Sequence, residues 1–148
     1  MSLEKWVEYG WLKREPTSPD EIEGLMSVVD RGLADANVKA ISADLRFIAA
    51  FQTALTLATI ALRASGYRAS TQAGHHVRTV ESLELTIQAD AKLIQKLKVL
   101  NNKRNKSSYD TAGVVSDQEL ESVVNSAVEL KRAVIVWLQK SHQELLKT

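Results

Sequence analysis

Apolar residues recur along the chain at spacings of three and four, which is the period of an amphipathic α-helix. In one such segment the recurring positions are Ile22, Leu25, Met26, Val29, Leu33 and Ala36. The alternation of apolar and polar residues that is typical of half-buried strands is absent, and so are Asn-Gly and Asp-Gly turns. The sequence therefore predicts an all-α fold.

Two Ser-x-x-Glu sequences predict helix starts. In SPDE, residues 18–21, Ser18 can accept a hydrogen bond from the amide of the third helical residue, Glu21 can reach back, and Pro19 suits the first helical position. SDQE, residues 116–119, repeats the pattern. The helix that it begins continues through Leu120, Val124, Ala127, Val134, Trp137 and Leu138.

A long apolar helix is predicted from about Ser42 to Ser65, with Gly66 just beyond its end. Its apolar residues surround much of the circumference: Leu45, Phe47, Ile48, Phe51, Leu55, Leu57, Ile60 and Leu62. This distribution predicts burial on more than one side. Arg46 and Gln52 interrupt the apolar run and Arg63 follows it, which favours a buried helix over a membrane span.

A shorter helix is predicted over residues 74–83 and a long one from about Ile87 to Arg104, whose apolar face is Leu93, Ile94, Leu97 and Leu100. Four long helices with short connections predict a four-helix bundle, with the short helix between the second and third. Residues 1–16 are expected to form an additional N-terminal helix across the bundle, or an arm on a neighbouring subunit. No repeat or linker divides residues 1–148, so one domain is predicted.

Composition narrows the classes of function. The 148 residues are 45% hydrophobic and 25% charged, as in ordinary soluble domains, and the net charge of +1 gives no bulk attraction to nucleic acid or membranes. Cysteine is absent, which excludes disulfides, thiolate metal sites and cysteine nucleophiles. The acidic residues and the lack of a long apolar core in the first 15 residues argue against a targeting peptide. We expect a cytoplasmic protein without a membrane partner.

Arg104 lies at the end of the apolar stripe of its helix. At 3.6 residues per turn it is roughly 20° from both Leu93 and Leu97. A charge at such a position is paired, extends to the edge of the bundle, or meets an anionic ligand. Arg104 could thus cover the end of the core while Asn105 caps the helix, or the two could form a site.

The segment KRNKSSYD, residues 103–110, resembles the motif of the HEPN superfamily of four-helix bundles, which includes bacterial toxins and defence-associated RNases. The resemblance extends to the order of the helices over roughly residues 20–146. Active members are metal-independent endoribonucleases whose arginine, polar neighbour and histidine commonly face a second subunit. Arg104 matches the arginine, Asn105 the polar neighbour, and Tyr109 occupies the histidine position.

The resemblance implies that Arg104 holds the phosphate and that Asn105 orients the substrate. Tyr109 differs from a histidine because a phenol, with an ordinary pKa of about 10, is a poor general base at neutral pH. Tyr109 therefore either contacts a phosphate or base in the catalytic position, or closes the segment onto the bundle through its hydroxyl. Some branches of the superfamily carry tyrosine there.

His75 and His76 are two further candidates. Adjacent residues of a helix point about 100° apart, so the two histidines are not expected to ligate one metal from the same face. One of them could approach Arg104 from the neighbouring helix and supply an acid or base, or both could be surface or capping residues. No metal site and no cofactor are predicted.

Lysines are concentrated near the motif. With Arg104, the basic residues are Lys92, Lys96, Lys98, Lys103 and Lys106, and only Asp90 and Asp110 lie nearby in sequence. The negative end of the helix dipole favours such residues, but they could equally form a phosphate-binding patch. Lys103 and Lys106 are the candidates for substrate binding.

Two functions are predicted. The first is an RNA- or nucleotide-directed protein, either a metal-independent endoribonuclease or an RNase-derived binder of a toxin-antitoxin or defence system. The second is a catalytically silent helical interaction module, whose exposed tryptophans and bundle faces bind a partner. The expected partners are a second copy of the chain, RNA or a nucleotide, and a cognate antitoxin or nucleotidyltransferase-type protein.

Overall fold

Helices make up most of the protein. The computed structural model describes the backbone of residues 1–72, 74–109 and 115–147, and the side chains of these residues except 104–109. The elements in chain order are α1 (Leu3–Glu8), β1 (Leu12–Arg14), α2 (Pro19–Ala36), α3 (Ala43–Ala64), β2 (Tyr67–Ala69), α4 (His75–Glu81), α5 (Leu83–Thr86), α6 (Ala91–Tyr109), α7 (Asp117–Ser141) and a 3-10 turn (Gln143–Leu145). The prediction of a mostly helical chain is confirmed.

The long helix α3 lies at the centre of the core. It contacts α2, α6 and α7, and its side chains are buried on more than one side, as predicted. Leu45, near its start, is an exception and is 56% exposed. By length and composition α3 could cross a membrane, but 67% of its apolar window is buried within the protein. The helix is therefore packed as a core helix, and the cytoplasmic location stays a prediction.

The helix starts and the end of α3 follow the sequence closely. Ser18, Ser42 and Ser116 cap α2, α3 and α7, each accepting a hydrogen bond from a backbone amide three residues later. Gly66 follows the end of α3 with φ of +93°, a left-handed conformation that glycine adopts without strain. These boundaries confirm the predictions made from the caps.

A two-stranded antiparallel sheet was not predicted. β1 pairs with β2 in a register that places Leu12 opposite Ala69 and Arg14 opposite Tyr67. Strands of three residues are too short to show the alternation that identifies a strand in a sequence. The buried Trp6 and Leu12 pack against Leu62, so the N-terminal segment docks on its own chain. Only residues 3–8 of this segment form the expected additional helix.

The third long helix differs from its prediction at both ends. It begins at Ala91 instead of near Ile87, because Gln88 has a positive φ and the Asp90 carboxylate accepts the Lys92 amide at 2.7 Å. It then continues through Tyr109, since no glycine or proline lies between residues 91 and 109 to end it. Asn105 is therefore not the C-cap of this helix.

Candidate functional site beside helix α4

The motif residues all lie on α6. Arg104, Asn105, Lys106 and Tyr109 belong to the helical backbone, while their side chains lie outside the described residues. Positions 104 and 105 follow Asn101 by three and four residues, so they lie on the same face of the helix as Asn101. In a continuous helix positions 104 and 109 are about 140° apart. The backbone thus does not place Arg104 and Tyr109 on one face.

The histidine pair, His75 and His76, forms the first turn of α4. Gly74 precedes it with φ of +81°, which allows the sharp turn into the helix. The two imidazole rings lie edge to face with their centroids 4.2 Å apart. The two rings therefore lie against each other, although adjacent positions of a helix differ in direction by about 100°.

The tautomer of His75 is fixed by its surroundings. Its Nδ1 lies 3.0 Å from the carbonyl oxygen of Gln72, and a carbonyl can only accept a hydrogen bond. Nδ1 consequently carries the proton when the ring is neutral, and Nε2 keeps its lone pair. An imidazole held in this way can take a proton through Nε2.

The histidine pair lines two cavities. The first, which we call the α3–α4 cavity, has a volume of about 220 Å³. Its polar lining consists of Gln52, Thr59, Arg63, Arg68, His75, His76 and Thr79. The second, the α4–α6 cavity, has a volume of about 340 Å³ and includes Thr71, Gln72, both histidines and Asn101 in its lining. The α4–α6 cavity therefore connects α4 with the face of α6 that carries positions 104 and 105.

Asn101 is a residue of the site that sequence reasoning missed. It is only 5% exposed, and its Oδ1 has no hydrogen-bond partner among the described residues. At 40° from Leu97 on the helix, it is a polar residue on an apolar stripe. That position in the sequence was the available signal.

Two of the predicted lysines are paired with other helices. Lys98 Nζ lies 3.1 Å from a Glu81 carboxylate oxygen on α4, and Lys103 Nζ lies 3.3 Å from Glu119 on α7. Sequence proximity to Asp90 and Asp110 did not reveal these partners, which come from distant parts of the chain. Lys103 is therefore engaged with α7, and its role in substrate binding stays a prediction.

A buried arginine forms part of the wall of the α3–α4 cavity. Arg63 is 3% exposed, and its guanidinium donates to the Glu21 carboxylate at 2.9 Å and to the carbonyls of Glu15, Pro16 and Tyr67 at 2.9 to 3.1 Å. These contacts leave Arg63 engaged within the fold. Its role is to fix the end of α3 against β2, the strand that leads toward α4.

Arg68 contacts the carboxylates of Glu15 and Glu21 from the surface. It is 49% exposed at the side chain, pairs closely with Glu15 and reaches Glu21 at 3.4 Å. The hydrogen bond from Arg68 lowers the pKa of Glu15. Arg68 thus lies at the rim of the α3–α4 cavity with its charge partly balanced.

The described residues contain no group of three or more histidine, aspartate or glutamate side chains that could hold a metal ion. Comparisons with protein-family models, curated proteins and solved structures find no match to this chain. The resemblance to the HEPN superfamily consequently depends on the motif and on the arrangement of the helices alone.

Proposed function

We propose that the protein is an RNA-directed, metal-independent endoribonuclease of HEPN-like architecture, with its site between α4 and α6. The observation that carries the proposal is the α4–α6 cavity, which the histidine pair and Asn101 line together. Asn101 precedes Arg104 by one helical turn. The histidine pair of α4 therefore shares a cavity with the residue one helical turn before the arginine of the motif.

The arrangement of the long helices is compatible with this architecture. α3 contacts α2, α6 and α7, and α7 also contacts α2 and α6. The short helix α4 lies between α3 and α6 in the chain, as the resemblance implies. These features support a HEPN-like four-helix bundle, with a second copy of the chain and a cognate antitoxin or nucleotidyltransferase-type protein as the proposed protein partners.

The histidines supply the proton transfer that Tyr109 is poorly suited to perform. In the proposed reaction Nε2 of His75 takes the proton of a ribose 2′-hydroxyl, and the 2′-oxygen attacks the adjacent phosphorus. The bond from phosphorus to the 5′-oxygen breaks, that oxygen takes a proton from water as it leaves, and His75 returns the proton it took to the solvent. Arg104 binds the phosphate and its developing charge. The products are a 2′,3′-cyclic phosphate and a 5′-hydroxyl.

The alternative of an interaction module has lost one of its supports. Trp6 is buried, and Trp11 and Trp137 are half-buried, so none of the three tryptophans is the exposed anchor that this hypothesis assumed.

The salt dependence of binding distinguishes the two functions directly. RNA binding through several cations weakens steeply as salt rises, whereas an apolar protein interface depends on salt only weakly.

The decisive experiment is cleavage of a mixed pool of labelled RNAs in EDTA, with the ends of the products mapped. We expect cyclic phosphate ends, a loss of about 10²- to 10⁴-fold in rate for His75→Gln, and about 10²- to 10³-fold for Arg104→Ala. Tyr109→Phe should keep most of the activity, because the phenol moves no proton in this reaction.

His142→Asn is the matched control, since His142 lies at the end of α7 beside Glu144 and Trp137, away from both cavities. It should cleave as the wild type does. Absence of both cleavage and low-salt RNA binding in the wild-type protein would refute the proposal and favour the interaction module.

A further inference from the structure

The Oδ1 atom of Asn101 is a buried acceptor that the described residues leave unsatisfied. Most buried polar atoms in folded proteins have a hydrogen-bond partner, because an unpaired one loses its interaction with water and gains nothing in return. Only 5% of Asn101 is exposed, and its Oδ1 has no hydrogen-bond partner among the described residues. The described residues therefore leave this oxygen able to accept a hydrogen bond from a molecule in the neighbouring cavity.

Asn101 also lines the α4–α6 cavity with the histidine pair. The volume of about 340 Å³ is within the range of small-molecule sites. The terminal torsion of an asparagine is broad, so a rotation about it can turn the carbonyl oxygen toward a ligand without moving the helix. A ligand that offers a hydrogen-bond donor can then satisfy the oxygen.

The oxygen selects a donor because an amide carbonyl only accepts. Around a phosphodiester of RNA, the phosphate oxygens are acceptors, while the ribose 2′-hydroxyl is a donor that every nucleotide carries. The 2′-hydroxyl is also the group that differs between RNA and DNA at any position. The hydroxyl concerned belongs to a nucleotide beside the cleaved one, because a hydroxyl has one hydrogen and that of the attacking 2′-hydroxyl goes to His75 in the proposed reaction.

We infer that Asn101 recognises a ribose 2′-hydroxyl in the α4–α6 cavity and so gives the protein a preference for RNA over nucleic acid lacking that group. This inference rests on the proposed function, because it assumes that RNA occupies the cavity. Asn101 is a binding residue in this scheme and moves no proton. Its buried oxygen remains in the fold because the substrate, not the protein, satisfies it.

The test measures binding in a His75→Gln background, which keeps the RNA intact. The probes are a 12-nucleotide RNA of mixed sequence and the same sequence with 2′-fluoro sugars, which keep the bases and lose the donor. We expect the RNA to bind about tenfold more tightly than the fluoro analogue, the ratio expected of one hydrogen bond. Adding Asn101→Leu should lower RNA affinity to that of the analogue and leave the affinity for the analogue unchanged.

Asn102→Leu is the matched control, because Asn102 is the exposed neighbour on the same helix. It should keep the tenfold ratio. Asn101→Leu should also unfold at the same temperature as its parent or a higher one, since it removes an unsatisfied acceptor. If that variant fails to fold, Asn101→Ala removes the same oxygen without adding bulk.

Three outcomes overturn the inference and separate its failure from that of the proposed function. If the Asn101 variants bind RNA and keep the tenfold ratio between RNA and the fluoro analogue, recognition by Asn101 is refuted and the proposed RNA site is not. Equal binding of RNA and the fluoro analogue by the parent would refute discrimination at the 2′ position. Failure of the wild-type protein and its His75→Gln variant to bind either probe at low salt would refute both proposals.

Discussion

The helices α2 and α7 begin with the same sequence pattern, yet their glutamates have different partners. The serine acts alike in both caps. Ser18 Oγ accepts the amide of Glu21 at 3.2 Å, and Ser116 Oγ accepts the amide of Glu119 at 3.1 Å. Each serine satisfies one of the free amides at a helix start, so the local part of the pattern is equally effective at the two sites.

The glutamate completes the capping box in only one of the two helices. Glu119 Oε1 accepts the backbone amide of Ser116 at 3.0 Å, whereas Glu21 accepts from the Thr17 hydroxyl at 2.5 Å and from Arg63 at 2.9 Å. A buried guanidinium without an anionic partner is strongly unfavourable. Arg63, 42 residues along the chain, therefore outcompetes a local backbone donor.

The same difference appears in the causes that lower the two pKa values. The backbone amide of Ser116 contributes most to lowering the pKa of Glu119, with smaller effects from the Ser116 hydroxyl and Lys103. The Thr17 hydroxyl contributes most to lowering the pKa of Glu21, and Arg63 is the next group that lowers it. Glu119 acts mainly within its own helix and also pairs with Lys103 of α6, whereas Glu21 joins α2 to the end of α3.

Removal of Arg63 should have the largest effect on stability. Arg63→Met leaves Glu21 without its buried cation and three backbone carbonyls without a donor, so we expect the free energy of unfolding to fall by about 3–5 kcal/mol. Chemical denaturation at neutral pH measures this loss.

Arg68→Met is the matched control, because Arg68 contacts the same carboxylates from the surface. An exposed pair contributes at most about 1 kcal/mol, so this variant should be nearly as stable as the wild type. Equal losses for the two variants would show that burial of Arg63 is not what makes its pairing strong.

The two glutamates should respond unequally to the same substitution. Glu21→Gln removes the charge from a hydrogen bond to a buried cation and should lower the free energy of unfolding by about 2 kcal/mol. Glu119→Gln should lower it by less than about 0.5 kcal/mol, since glutamine also completes a capping box. Denaturation of both variants beside the wild type tests the difference, and equal values would contradict it.

The pH dependence of stability tests whether the charge of Glu21 is responsible. The pKa of Glu21 in the fold is below its ordinary value of 4.5, so its contribution to stability is fully present above that pH and is lost as the pH falls toward the lowered pKa. The stability gap between wild type and Glu21→Gln should thus narrow below pH 4.5. A gap that stays constant to lower pH would show that the carboxylate charge is not responsible.

The fold was predictable where local chemistry determines it. The serine caps, the start of α2 at Pro19 and the end of α3 before Gly66 all follow from residues close in sequence. The pairing of β1 with β2 was not predictable, because it joins two three-residue strands more than fifty residues apart. The ion pair between Glu21 and Arg63 was equally unpredictable. In the sequence, Arg63 indicated only the end of an apolar run.

In the candidate site, too, the local features were predictable and the contacts between distant segments were not. The motif identified α6 and the histidine pair identified α4, but their shared cavity depends on the packing of these helices. Asn101 was detectable as a polar residue on an apolar stripe. That its oxygen lacks a partner became apparent only from the surrounding side chains, because a sequence does not specify which donors come within reach.

The smallest expected difference concerns the two capping serines. Ser18→Ala and Ser116→Ala each remove one acceptor from a helix start, and each should lower the free energy of unfolding by about 1 kcal/mol. The losses should agree within about 0.5 kcal/mol, since the two hydrogen bonds are nearly the same length and both are exposed. Thermal and chemical denaturation of the two variants measure them. A much larger loss for Ser116→Ala would mean that Glu119 depends on its serine for position, whereas Glu21 is already held by Thr17 and Arg63; the capping box would then be a cooperative unit in α7 alone.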